Sequence, residues 1–271
     1  MPFCMVTSMK MFTWMFLRVL FALSQIRFVN FISPFYGLKR AGRQWYNKLS
    51  NSLKQLGYTQ SSHDHSLFTK NRNQYFTALL IYVDDLVLSG NDMHEIMLVK
   101  QHLDKQFKIK DLGKLKYFLG LEVARSKSGI TLYQRKYALD ILSDTGFLVA
   151  KLVPSPMVKT TRLHQDNTTC FEDPSLYRRL VGRLLYLTNT RHDISYFVQQ
   201  LSQFMAQPTI THYKALTQVL RYIKGIPGQR IFYSSMSPLK LKASNDSDWA
   251  VCIDSRKSKT GCCVFLGNSL I

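Results

Sequence analysis

The sequence predicts an α+β fold, and three observations carry that prediction. Two apolar runs rich in β-formers, Phe76 to Val83 and Leu86 to Leu88, flank the acidic pair Asp84-Asp85 and read as strand, tight turn, strand. Amphipathic helical spacing stands on either side of that hairpin. Beyond Pro154 and Pro156 the pattern turns helical, and strands return only from Leu239 onward.

The first helix is expected over Ala41–Leu56, where Trp45, Leu49, Leu53 and Leu56 fall on one face and Gly57 supplies the C-terminal stop. The aromatic pair Trp45 and Tyr46 reads as core packing rather than a base-stacking platform. After the hairpin, Ser89-Gly90-Asn91 ends the second strand, and Asn91 or Asp92 opens a helix over Met93–Phe107. Tyr117–Val123 and Ile130–Tyr133 form a further strand pair around Ser128-Gly129, and Tyr137–Leu142 begins a helix that runs toward Gly146. Two prolines within Val153–Pro156 fit neither a helix nor a central strand, so a linker is expected there, continuing to Pro174. Tyr177–Thr188, Ile194–Met205 and Thr211–Ile223 read as three helices. Strands resume over Leu239–Ile271, most clearly at Gly261–Phe265, without a closing element, which is the pattern expected of a domain cut near its start.

Composition bounds the function. With 46% hydrophobic and 13% aromatic residues, 271 residues bury a real core, which argues against disorder. Thirty-six Lys and Arg stand against 17 Asp and Glu, a formal charge of +19. An excess of that size points to a polyanionic partner, most commonly nucleic acid, although charge alone also serves solubility. Cys4, Cys170, Cys252, Cys262 and Cys263 form no CxxC pair and no zinc spacing, so an intracellular, reducing compartment is expected. Met11–Leu23 resembles the apolar part of a secretory signal behind Lys10, but Arg18 interrupts it, no small-residue cleavage site follows, and it is too short for a membrane span.

The acidic turn is the sharpest chemical signal. Two adjacent carboxylates repel each other and resist desolvation unless a cation neutralises them, so Asp84-Asp85 either invites Mg2+ (or Mn2+) or is an ordinary exposed turn.

Its surroundings bear on that choice. Tyr36-Gly37-Leu38-Lys39-Arg40-Ala41-Gly42-Arg43-Gln44-Trp45-Tyr46 resembles the YGLKQAxRxWY block of copia-type reverse transcriptases, and Tyr82-Val83-Asp84-Asp85 follows at the family's distance. Phe118-Leu119-Gly120-Leu121-Glu122-Val123 is similar to that family's primer-contacting hairpin. Tyr177–Leu187 and Val219–Gly225 resemble its thumb-to-connection helices. Asp246-Ser247-Asp248-Trp249-Ala250, then Ser255–Ser258 and Thr260-Gly261, resemble the opening of the tethered ribonuclease H.

The resemblance implies a partial reverse transcriptase palm with a YVDD hairpin, a helical thumb and connection, and the start of a ribonuclease H-like domain. Its boundaries would be residues 36–155 for fingers, palm and primer grip, 156–238 for the thumb and connection helices, and 239–271 for ribonuclease H. It implies templated addition of deoxynucleotides to a primer 3′ end on an RNA or DNA template-primer duplex, with two divalent cations in the site. Asp84 and Asp85 would be polymerase metal ligands, and Asp246 the first ligand of ribonuclease H. Lys39, Arg40, Arg43 and Tyr82 would lie beside the incoming deoxynucleoside triphosphate or the template backbone. Read without the resemblance, Lys39 and Arg43 are equally a solvated helix face.

Departures from the pattern matter as much. Arg40 replaces the family's Gln, and a cation is no substitute for a planar amide. His192 replaces the Pro of an R-P-D-I motif. The family's further Asp, from a D-V-x-x-A-F-L block, has no counterpart in residues 1–35. Those residues are expected to be an aberrant, frameshifted leader: a family-like NAFLHGDLHEDVYMDVSPGF can be encoded so that reading one base downstream gives Met1–Leu20. The expected outcome is an inactive copy. A nucleic-acid-binding remnant and a secreted or membrane-anchored protein using the leader are the competing readings.

Overall fold

The structure is a computed structural model that describes residues 23–28, 41–157, 163–165, 169–238, 240–250 and 252–270. Two compact units divide the described chain, one ending at Lys116 and one running from Tyr117 to Leu270.

The first unit is built from β1 (Leu23–Phe28), α1 (Ala41–Gln55), β2 (Thr59–Gln60), β3 (Leu67–Arg72), β4 (Tyr75–Tyr82), β5 (Asp85–Gly90), α2 (Met93–Phe107) and β6 (Ile109–Lys114). Its six strands pair antiparallel throughout, in the order β2-β3-β4-β5-β1-β6. Period-two alternation puts Ile26, Phe28, Phe68, Leu79, Ile81, Leu86 and Leu88 in one core with Leu49 and Leu53 of α1 and Val99, Leu103 and Phe107 of α2. Ala78, Leu80 and Val87, which alternate with them, are buried as well. Burial of both sets explains why β4 and β5 read as continuous apolar runs. Phe28 meets Trp45 edge-on at 4.8 Å, which confirms Trp45 as a packing residue. At the start of α2, Asp92 accepts from the Glu95 amide at 3.0 Å, while Lys70 reaches the Glu95 carboxylate at 2.6 Å.

The second unit holds β7 (Tyr117–Phe118), β8 (Leu121–Ser126), β9 (Gly129–Tyr133), α3 (Arg135–Asp144), α4 (Pro174–Leu187), α5 (Ser195–Ser202), α6 (Ile210–Gly225), β10 (Arg230–Ser234), β11 (Leu241–Asp248), β12 (Lys259–Leu266) and β13 (Ser269–Leu270). Short 3₁₀ turns at Phe147–Val149 and His192–Ile194 follow α3 and precede α5. The strands form a four-stranded sheet, β10-β9-β8-β7, and a three-stranded one, β11-β12-β13. Faces of α3 (Ile141, Leu142), α4 (Leu180, Leu184), α5 (Val198, Leu201) and α6 (Leu216, Leu220) share one core. Gly129 is required where it stands, because a Cβ there would lie 2.0 Å from the Tyr233 carbonyl oxygen of β10.

Several expectations change. The stretch expected as one strand over Tyr117–Val123 is broken at Leu119 and Gly120, which take φ of 50° and 77° and form a turn between β7 and β8. The expected linker is in part packed: Met157, Leu163 and Phe171 lie on the helical core. Leu23–Phe28 form a strand in the interior of the first sheet, between β5 and β6. Apart from Leu23, the signal-like segment Met11–Leu23 lies outside the described residues, among which no helix is long and apolar enough to cross a membrane.

Candidate functional site

The acidic pair sits at the turn of the β4–β5 hairpin. Tyr82 and Asp85 are the last paired residues, so Val83 and Asp84 form a two-residue loop. Val83 takes φ 52°, the left-handed region, and its side chain faces solvent. Strand β1 lies against β5 in a register that sets Arg27 directly opposite Asp85. The Arg27 guanidinium donates through Nε to Asp85 Oδ1 at 2.8 Å and through a terminal nitrogen to Oδ2 at 3.2 Å. The Phe28 amide donates to the Asp84 carbonyl oxygen at 3.0 Å, pinning the strand to the turn. The hydrogen bond and charge of Asp85 hold Arg27 above its already high pKa, with Asp84 adding a smaller pull.

Arg27 is therefore the cation that faces Asp85 among the described residues. Both oxygens of Asp85 receive the Arg27 guanidinium, and among the described residues no side-chain hydrogen bond or ion pair holds the Asp84 carboxylate. Among the described residues, no group of three or more His, Cys, Asp or Glu side chains is arranged to hold a metal ion.

Of the remaining expected site residues, Tyr82 stands at the turn itself, paired with Asp85. Tyr82 is half-buried at the end of β4, and Arg43 is exposed on the first turn of α1. Lys39 and Arg40 lie outside the described residues. Asp246 belongs to the second unit, exposed on β11 opposite Gly261, with its Oδ1 accepting from the Ser247 amide at 2.9 Å.

The other family-like blocks acquire local roles. Tyr186 of α4 donates its hydroxyl to the Leu119 carbonyl oxygen and backs the β7–β8 turn; a Cβ on Gly120 would lie 3.3 Å from the Tyr186 ring. Glu122 accepts from the Lys136 amide at 2.8 Å, so this strand residue caps α3, whose own N-cap Gln134 makes no such bond. Arg191 and Asp193 form a two-pronged ion pair at 2.9 and 2.8 Å, and Arg191 also donates to the Ile226 carbonyl oxygen at 2.7 Å. Elsewhere in this unit a cavity of about 470 Å³ has Arg179 and Arg183 in its wall, with Arg183 held by Asp144 at 2.7 Å. Sequence reasoning missed Arg27. The signal available for it was the alternation of buried Ile26 and Phe28 with a cation between them.

Comparison with known proteins places this architecture. The family described as reverse transcriptase (RNA-dependent DNA polymerase) matches residues 27–159. The retrovirus-related Pol polyprotein from transposon RE1 of Arabidopsis thaliana is 42% identical over 233 residues, covering 86% of this chain and 16% of that polyprotein. The corresponding polyprotein from transposon TNT 1-94 of Nicotiana tabacum is 34% identical over 236 residues, 83% of this chain and 18% of its own length. An uncharacterized mitochondrial protein of Arabidopsis thaliana is 41% identical over 194 residues, 71% of this chain and 80% of its own. No solved structure matches. By family, then, this is a reverse transcriptase chain of mixed α and β structure. Within that class it belongs to the copia-type retrotransposon Pol family, and it spans 16% of the length of the RE1 polyprotein.

Proposed function

We propose that the chain is the palm and thumb portion of an RNA-directed DNA polymerase that grips a template-primer duplex without extending it. In this reading the first unit is the palm around the Tyr82–Asp85 hairpin, and β7–β8 is the primer grip. Helices α3–α6 are thumb and connection, and β11–β13 are the first strands of a ribonuclease H-like domain in which Asp246 is a metal ligand. Arg43, with Lys39 and Arg40 just before α1, contributes to the basic surface that meets phosphate or nucleotide. The cell interior, where such duplexes form, is the compartment this reading requires.

The observation that carries the reading is the state of the acidic turn within a chain of formal charge +19. Net charge supplies affinity for phosphate whatever the sequence of the duplex. Polymerisation needs carboxylates free to hold cations, and Asp85 is engaged by Arg27. The test is a primer-extension assay run beside a binding assay on one labelled RNA–DNA duplex. Binding without extension in Mg2+ or Mn2+ is expected. Templated addition of deoxynucleotides, abolished by Asp84→Asn, would overturn the inactive half of the reading, and absence of duplex binding at low salt would overturn the other half.

A further inference from the structure

Arg27 is placed by its neighbours more than by its own side chain. Phe28 is buried beside it, 4.8 Å from the Trp45 ring and 5.8 Å from Phe107, both nearly perpendicular. Ile26, on the other side, is also buried. With residues 26 and 28 fixed in the core, the side chain between them must leave the opposite face of β1. The β1–β5 register puts that exit point directly across from Asp85. The strand thus fixes where the side chain leaves the backbone, and the planar fork then loses its remaining rotamer freedom on pairing with Asp85.

The charges complete the argument. Asp84 and Asp85 are adjacent carboxylates at a two-residue turn, a pairing that a nearby cation stabilises. The guanidinium fork occupies both oxygens of Asp85, whose side chain is 16% exposed against 51% for Arg27. An ion binding at the same two oxygens would have to displace two charge-assisted hydrogen bonds and then lie beside an uncompensated guanidinium.

We infer that Arg27 is the built-in counter-cation of the acidic turn: it holds the Asp85 oxygens that a divalent ion would take, so the hairpin is both stable without metal and closed to it. This stands on the geometry of β1 and β5, which also underlies the non-extending half of the proposed function; its test uses no nucleic acid, so it fails separately from duplex binding.

The experiment is a Mn2+ titration of the full chain followed by electron paramagnetic resonance, with thermal melts in EDTA and in Mn2+. The wild-type chain is expected to show no Mn2+ uptake that Asp85→Asn removes, and the same melting midpoint in both solutions. Arg27→Gln is expected to raise Mn2+ affinity at the turn by about tenfold or more, since removing one unit charge in close contact changes the local Coulomb energy by at least that factor. The gain should vanish in Arg27→Gln/Asp85→Asn, and the Arg27→Gln melt should move upward with Mn2+. Arg27→Lys, which keeps the charge, should stay closed. Wild-type Mn2+ binding that depends on Asp85, or an Arg27→Gln chain that folds and takes up no more Mn2+ than wild type, overturns the inference. Should Arg27→Gln fail to fold, the wild-type titration against Asp85→Asn still decides it.

Discussion

Arg191 leaves only 1% of its side chain exposed, and it depends on a single carboxylate. Its guanidinium lies over the Tyr222 ring at 5.6 Å, donates to the Ile226 carbonyl oxygen beyond α6, and forks onto Asp193. Removing Asp193 would leave a buried, uncompensated cation, so Asp193→Ala should cost about 3–5 kcal/mol of stability at neutral pH, measured by urea denaturation. The pH dependence follows from the same contact. Burial alone would raise the Asp193 pKa, but the Arg191 fork outweighs it and holds the carboxyl below the usual range. A depressed carboxylate contributes stability above its unfolded value, about 3.9, that is lost as pH falls through the folded one. The gap between wild type and Asp193→Ala should therefore narrow in strong acid. His192 acts earlier and in the same direction. Burial holds its imidazole below the usual range, so it stays neutral in the fold and its contribution is lost once acid forces it to charge. The resemblance to an R-P-D-I motif marked Arg191 and Asp193 as a family feature, and the structure supplies the reason as an ion pair that ties the α4–α5 junction to the end of α6.

At the scale of one element, the β4–β5 hairpin carries visible strain. A β-branched residue in the left-handed region loses about 1–2 kcal/mol, and Val83, more than half exposed, recovers little of it through packing. A turn with positive φ at its first central position favours Gly. Val83→Gly should stabilise the chain by about 0.5–1 kcal/mol after the added freedom of the unfolded state is subtracted, read as a raised urea midpoint. The same change at Asp84, which lies outside that region, should lower it. Strain at an acidic turn is the kind of feature that persists where a site once needed its geometry. The hairpin itself was legible in the sequence, as were α1 and α2, because their periodicities are strong. Strands β3, β6 and β10 were not. The Ile109–Lys114 stretch of β6 is mostly polar because it forms a sheet edge, where charged residues discourage further pairing. Strand β11 is exposed at every residue, so no alternation announced its bounds. The fork at the acidic turn was hidden for a different reason: Arg27 and Asp85 are 58 residues apart, and only the pairing of β1 with β5 joins them.

For the whole molecule, the sign of the Mg2+ effect separates a working polymerase from a remnant. A polymerase that uses Asp84 and Asp85 to hold cations gains affinity for duplex and nucleotide when Mg2+ is added, because the ions neutralise those carboxylates against incoming phosphate. A chain whose acidic turn is closed by Arg27 gains nothing there. On the proposed reading, a chain of formal charge +19 draws its duplex affinity instead from lysines and arginines that displace condensed counterions, and Mg2+ competes with them for the same phosphates. Duplex binding should therefore weaken when Mg2+ is added at fixed monovalent salt. In EDTA, the logarithm of affinity should fall linearly with the logarithm of salt concentration, with a slope of roughly −0.9 for each B-form phosphate contacted. Fluorescence anisotropy on matched DNA and RNA–DNA duplexes measures both. Tighter binding in Mg2+ that Asp84→Asn removes would show a cation held at the turn and return the chain to the catalytic reading. Weaker binding in Mg2+, with a steep salt slope shared by both duplexes, fits charge as the whole of what this chain brings to nucleic acid.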